Sequence, residues 1–243
     1  MIDFSKAYDS VDRRKMIETM REYNVNIRII DMIVQMYSKD STTIKLGGLE
    51  EKVRVTSGIR QGCCISTLLF KLVTFKIIEE LRSKGVKYQV DRYNGNSIWL
   101  ADDSTLIAGK IRDMETNIRI LKSKALEYGL RVNENKSKIL QVRGTERARR
   151  IGGLEVVESV KYLGITLGGI GRDIFREERN NVIKKAQKKA LALNTYVKKS
   201  YDVTSVGKAL WKQQAVPGIM FGKQVVTLNK KIKEKLQGIE DNV

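Results

Sequence analysis

Residues Ser97–Ala108 read SIWLADDSTLIA, with Ser97–Leu100 and Thr105–Ala108 bracketing the pair Asp102-Asp103. Strand-forming runs interrupted by two turn-forming aspartates predict an antiparallel hairpin with both carboxylates near its tip. Upstream, Ile2–Phe4 predicts a short strand that carries Asp3, and Thr42–Leu46 with Lys52–Val55 flank Gly47-Gly48 as another hairpin. Apolar residues at helical spacing predict helices over 11–23, 27–37, 67–81 and 114–128, the last with Ile118, Leu121, Ala125 and Leu126 facing inward. Lys138–Val142 and Val160–Leu167 predict further strands. Past Gly171 the pattern is helical only, with Ile183, Ala186, Ala190, Leu193 and Val197 forming one apolar stripe and Lys184, Lys185, Lys188 and Lys189 falling largely off it. The order predicts an α+β fold: an antiparallel sheet with helices to one side over residues 1–170, then an all-helical segment over 171–243.

Composition narrows the chemistry. The 243 residues include no histidine, which removes His-based triads, His-ligated zinc and histidine general bases together. The two cysteines, Cys63 and Cys64, are adjacent and cannot staple distant segments, which suits an intracellular, reducing setting. No run of about 18 apolar residues is present, so no membrane-spanning helix is expected. MIDFSKAYD lacks the basic-then-apolar layout of a signal peptide. The formal net charge of +18 favours a polyanionic partner, because neutralised phosphates release condensed counterions. A solvated basic surface would produce the same count.

Metal or transfer chemistry must therefore rest on carboxylates, lysines and hydroxyls. Asp3 at a strand end and Asp102-Asp103 in a hairpin turn are the candidates, since aspartates at strand tips of one sheet can converge on hard cations. Taken alone, Asp-Asp is also ordinary turn chemistry, and Asp9 is equally placed to cap the helix that follows.

Five segments in order carry a resemblance. Ile2–Val11, IDFSKAYDSV, resembles the A motif of non-LTR retrotransposon reverse transcriptases. Gly58–Phe70, GIRQGCCISTLLF, is similar to their B motif, with Thr67 where members usually carry proline. Leu100–Ser104, LADDS, resembles the C motif, with Leu100 in place of the expected Phe or Tyr. Gly129–Lys138, GLRVNENKSK, and Lys161–Gly164, KYLG, resemble the D and E motifs. Val216–Gly222 and Lys235–Ile239 are similar to the helical segment that follows in such elements. Group II intron maturases share several of these motifs, but KAYDSV and ADD suit the non-LTR type better.

The resemblance implies a right-hand polymerase palm over 1–170 and a helical thumb over 171–243. It implies Asp3, Asp102 and Asp103 as ligands of two Mg2+ (or Mn2+) ions, and Lys136 as a proton donor to pyrophosphate. It implies Tyr8 under the incoming sugar, Gln61 and Gly62 on the template base and nucleotide, and Tyr162, Leu163 and Gly164 on the primer. A core tyrosine, a turn and a solvated lysine are the plainer readings of Tyr8, Gln61-Gly62 and Lys136. The implied partners are an RNA template, a DNA primer and deoxynucleoside triphosphates, with no membrane, and the nucleus as the working compartment if the chain is active. The family's fingers precede its A motif. The chain is therefore expected to lack them, to polymerise poorly alone, and to fray at the strand that carries Asp3. The alternative function is a non-catalytic nucleic-acid-binding remnant of a mobile element.

Overall fold

A computed structural model describes residues 1–144, 148–170, 173–197 and 203–241. They form two compact units, Met1–Ile139 with Ala148–Val156, and Leu140–Arg147 with Val157–Val243.

In the first unit a short helix α1 (Ala7–Ser10) leads to α2 (Arg13–Glu22), which starts where the Asp12 carboxylate accepts the Arg14 and Lys15 amides. Asn26 caps α3 (Ile27–Ser38) in the same way through the Arg28 amide. The longest helix here, α4 (Ser66–Lys84), buries Leu69, Phe70, Val73, Ile77 and Leu81 along one face. Each such side chain contributes about 1.5–3 kcal/mol on leaving water. α4 packs on α5 (Ile111–Glu127), whose Ile118, Leu121 and Ala125 are buried as the spacing predicts. Leu126 is instead 58% exposed. The helix ends one residue later, where the Leu130 amide reaches the Ala125 carbonyl and the Gly129 amide the Leu126 carbonyl. At that cap Tyr128 and Leu130 are buried in the core in place of Leu126.

The strands form small sheets rather than one continuous sheet. β1 (Ser41–Leu46) pairs with β2 (Leu49–Arg54), β3 (Tyr88–Val90) with β4 (Tyr93–Gly95), and β5 (Ser97–Leu100) with β6 (Asp103–Leu106), all antiparallel. A three-stranded sheet runs in the order β7 (Lys138–Leu140), β9 (Leu154–Val157), β8 (Arg150–Ile151).

The first residues are held, contrary to the expected fraying. Ile2 donates to the Ser104 carbonyl at 2.7 Å, Met1 and Lys138 exchange backbone hydrogen bonds, and Ser5 donates to the Arg131 carbonyl. Isolated antiparallel bridges join Ile2 to Ser104 and Phe4 to Val132. Partners on both sides and a fully buried Ile2 make this segment an interior strand in effect.

The second unit opens with the hairpin β10 (Ser159–Tyr162) and β11 (Ile165–Gly168), two strands where the sequence pattern predicts one. Leu163 and Gly164 form its two-residue turn, both at positive φ. Among the described residues only helices follow: α6 (Arg176–Val197), α7 (Val203–Leu210), a π-helical turn (Trp211–Ala215), α8 (Val216–Met220) and α9 (Lys230–Glu240). Val182, Ala186, Leu193, Trp211, Ala215 and Ile219 build their shared core. The Val197 side chain lies outside the described residues.

Two predictions arise in this unit. Glu178 is buried and accepts from the Thr166 amide and from Lys185 and Lys223. Burial works against its charge, but that amide and the two ammonium groups hold its carboxyl below the usual range, while burial pushes Lys223 down. Glu178→Gln should cost about 2 kcal/mol in urea unfolding, because it leaves the Lys223 ammonium without its counter-charge. Leu163, by contrast, holds φ 45 at a turn where Asn or Gly is favoured. Leu163→Asn should therefore raise stability by about 1 kcal/mol in the same assay.

Candidate active site

The β5–β6 register pairs Leu100 with Asp103, which leaves Ala101 and Asp102 as a two-residue turn. Ala101 takes φ 55, a left-handed conformation that costs a residue with a Cβ about 1–2 kcal/mol. The antiparallel bridge between Ile2 and Ser104 places Asp3 directly across from Asp103. Asp3 is thereby brought close enough to the acidic turn to act on Asp103, although about a hundred positions separate them in sequence. Like charges set opposite each other destabilise a sheet. Partial burial, then the Asp102 and Asp3 carboxylates, push the Asp103 carboxyl above its usual range.

The segment that carries Asp3 is also tied to the 133–137 loop. Its amide donates to Ser137 Oγ at 3.0 Å, and its carbonyl accepts the Asn133 amide at 2.8 Å. Lys136 sits on that loop with its side chain exposed.

Tyr8 stacks on Phe70 with ring centroids 4.6 Å apart and planes 12° from parallel. Burial and then the Asp102 charge push its phenol up, so the hydroxyl lies within the field of the acidic turn. Gln61 Nε2 donates to Asp9 Oδ1 at 3.0 Å, which gives Asp9 a partner other than the helix cap. Gly62 has φ +80 with open space around it. It supplies backbone freedom rather than close packing.

The close approach belongs to Gly58, three residues before Gln61. A Cβ there would lie 2.5 Å from the Asp9 carbonyl oxygen. Gly129 does the same from the other side, where a Cβ would lie 2.2 Å from the Ser10 carbonyl oxygen. Helix α1 is therefore held between two glycine-bearing segments. The sequence signal, glycines at the starts of two quoted motifs, was present, but their contact with residues 9 and 10 is not encoded locally.

Also unread in the sequence is an ionic cluster. The Asp40 carboxylate receives Arg13 Nη2 at 2.7 Å and Arg60 Nη2 at 2.9 Å. Burial opposes its ionisation, but the Arg60 and Arg13 hydrogen bonds outweigh that and hold the carboxyl below the usual range. A carboxyl lowered by folding adds stability above its unfolded pKa and loses it as pH falls. The parent should lose more stability than Asp40→Asn when unfolding is measured from pH 6 down to about pH 3.

Tyr162 ends β10, and Leu163 and Gly164 form the β10–β11 turn of the second unit; Leu163 is 40% exposed and Gly164 faces Phe221.

Among the described residues no three Asp, Glu or Cys side chains are gathered closely enough to cage an ion by themselves. The oxygens of the three aspartates are of the hard donor type that a divalent cation takes. Asp3 and Asp103 offer carboxylate oxygens from facing strand positions and Asp102 from the turn, and magnesium takes the rest of its shell from water and phosphate. No helix among the described residues is long and apolar enough to cross a membrane.

Residues 1–167 match the family model described as reverse transcriptase (RNA-dependent DNA polymerase). The chain is 24% identical over 203 residues to the retrovirus-related Pol polyprotein from type-1 retrotransposable element R2 of Bradysia coprophila, a match that covers 77% of this chain and 23% of that protein. It is 25% identical over 190 residues to the corresponding polyprotein from type-2 retrotransposable element R2DM of Drosophila melanogaster, with 70% and 18% covered. It is 26% identical over 139 residues to the transposon TX1 uncharacterized 149 kDa protein of Xenopus laevis, with 56% and 11% covered. The chain thus spans less than a quarter of the length of these three relatives.

Proposed function

Because the chain belongs to the reverse transcriptase family, of the non-LTR retrotransposon kind, we propose that it is the core of an RNA-directed DNA polymerase, with a palm over 1–170 and a thumb over 171–243. It adds deoxynucleotides to a primer 3′-hydroxyl, copying RNA, and works in the nucleus. The observation that carries this reading is the bridge between Ile2 and Ser104, which puts Asp3 in register with Asp103.

Asp3 and Asp102 hold two Mg2+ or Mn2+ ions, and Asp103 assists. When bound, such ions lower the pKa of the attacking hydroxyl and stabilise the leaving pyrophosphate. Tyr8 presents its ring to the incoming sugar, and Phe70 behind it keeps that ring from turning. Gln61, steadied by Asp9, and the side-chain-free Gly62 receive the template base and the nucleotide. Lys136 donates a proton to pyrophosphate, and Tyr162, Leu163 and Gly164 hold the primer. The net charge of +18 supplies the attraction for template and primer phosphates.

A second reading, a nucleic-acid-binding remnant without catalysis, is favoured by Leu100 and Thr67, which depart from the family pattern in the C and B motifs. Primer extension on an RNA template with magnesium or manganese, with and without an added fingers segment, separates the two. Template-directed addition supports the polymerase. Salt-sensitive RNA binding with no extension selects the remnant.

A further inference from the structure

Asp40 lies between α3 and β1, only 8% exposed, and is far in sequence from every residue assigned above. Its Oδ1 receives both Nε and Nη2 of Arg60, at 3.1 and 2.9 Å, and its Oδ2 receives Arg13. Arg13 in turn donates to the Val55 and Gly58 carbonyls, each at 2.7 Å, and its guanidinium lies over the Tyr37 ring at 4.6 Å. Arg60 also donates to the Met36 carbonyl, and its amide reaches the Tyr37 hydroxyl. One buried carboxylate therefore organises two arginines: Arg13 grips the 55–60 segment at two carbonyls, and Arg60, within the segment, ties it back to α3.

The opposite side of that segment faces the A-motif residues. Gly58 donates to the Val11 carbonyl and Ile59 to the Tyr8 carbonyl, both at 2.8 Å, and Gln61 reaches Asp9. Gln61 directly follows Arg60, so the arginine's anchorage limits where the amide side chain can go. Nothing else among the described hydrogen bonds ties the Gln61 side chain down.

We infer that Asp40 is a positioning residue for nucleotide binding: through Arg60 and Arg13 it fixes the 55–62 segment so that Gln61 stays on Asp9, next to Tyr8. This rests on the polymerase reading for its consequence, but not for its geometry. A carboxylate suits the position because it presents one charged oxygen to each guanidinium group. Asparagine fills the same volume and keeps one acceptor, so its effect reports the lost charge-assisted bonds.

The test combines two readouts on the 243-residue protein. The KM for a deoxynucleoside triphosphate and kcat are measured in primer extension for the parent, Asp40→Asn, Gln61→Ala and the double variant. Hydrogen exchange is followed across residues 55–62 and, as an internal reference, across α4 and α5. Asp40→Asn should raise KM about tenfold with kcat nearly unchanged, and should speed exchange over 57–62 while the helices keep their protection. In the Gln61→Ala background the same change should add less than about twofold to KM, because the two act as one unit. Arg60→Met, which breaks only the more exposed arm, should reproduce the exchange effect if Asp40→Asn folds poorly.

An undiminished tenfold penalty in the Gln61→Ala background, or unchanged exchange across 55–62, would overturn the assignment. A parent that binds nucleotide and RNA but adds no nucleotide even with an added fingers segment contradicts the polymerase reading alone, and the exchange arm then decides the role of Asp40.

Discussion

Replacing Asp102 by Asn should lower magnesium-dependent primer extension by about a thousandfold or more while leaving the protein folded. Asparagine keeps the shape of the turn residue and loses the charge that a divalent ion needs. Asp102 is exposed at the hairpin tip and supports no hydrogen bond described in the fold, so its removal breaks no packing. The substitution also removes a carboxylate that pushes up its neighbour Asp103. Stability should therefore hold or rise by a few tenths of a kcal/mol. Loss of activity with gain of stability is the signature of a residue kept for chemistry. A variant that extends primers as well as the parent removes Asp102 from the site.

Gly129→Ala should have the largest effect on stability, about 4 kcal/mol or more in urea unfolding. Two costs combine. Gly129 takes φ +80 at the end of α5, where it is the residue that closes the helix cap. A methyl group there would also lie 2.2 Å from the Ser10 carbonyl oxygen and 3.1 Å from the Asp12 amide nitrogen, and both are backbone atoms that cannot swing away. The Asp12 amide already donates to the Tyr128 carbonyl, so the clash would pull the start of α2 from the end of α5. Gly62→Ala is the control: it has the same φ and meets nothing within 4 Å. It should cost only about 1–2 kcal/mol. Equal losses at the two positions would show that conformation, not contact with α1, makes Gly129 necessary.

The parts of this molecule legible in the sequence are those with local repetition. Leu69, Val73, Ile77 and Leu81 recur at helical spacing and are all buried on α4. The hairpin of Ser97–Leu100 is legible because a turn pair separates two strand-forming runs, although β6 starts at Asp103, two residues earlier than its apolar content suggests. The β3–β4 hairpin was not legible. Its strands are three residues long and its turn, Asp91-Arg92, lacks glycine.

At the site, the resemblance supplied Asp3, Asp102 and Asp103, but not what brings residue 3 alongside the 103–104 strand. A hydrogen bond between residues 2 and 104 does so, and it has no periodicity to read. The same limit explains the expected fraying of residues 1–5. Their partners lie at 104, 131, 133, 137 and 138, so the sequence shows an end where the fold has a centre. It also hid Asp40, whose arginine partners lie 27 residues before it and 20 after.

The central claim is that Asp3 and the 101–103 turn act as one divalent-ion site. Paramagnetic broadening by substoichiometric Mn2+ in backbone amide NMR spectra tests it most directly, with or without catalysis. The account predicts that signals from residues 2–5 and from 101–105 broaden together, ahead of the β1–β2 hairpin and of the second unit, and that Asp3→Asn weakens the effect at both segments. Broadening of one segment without the other, or first at acidic residues elsewhere, would contradict it.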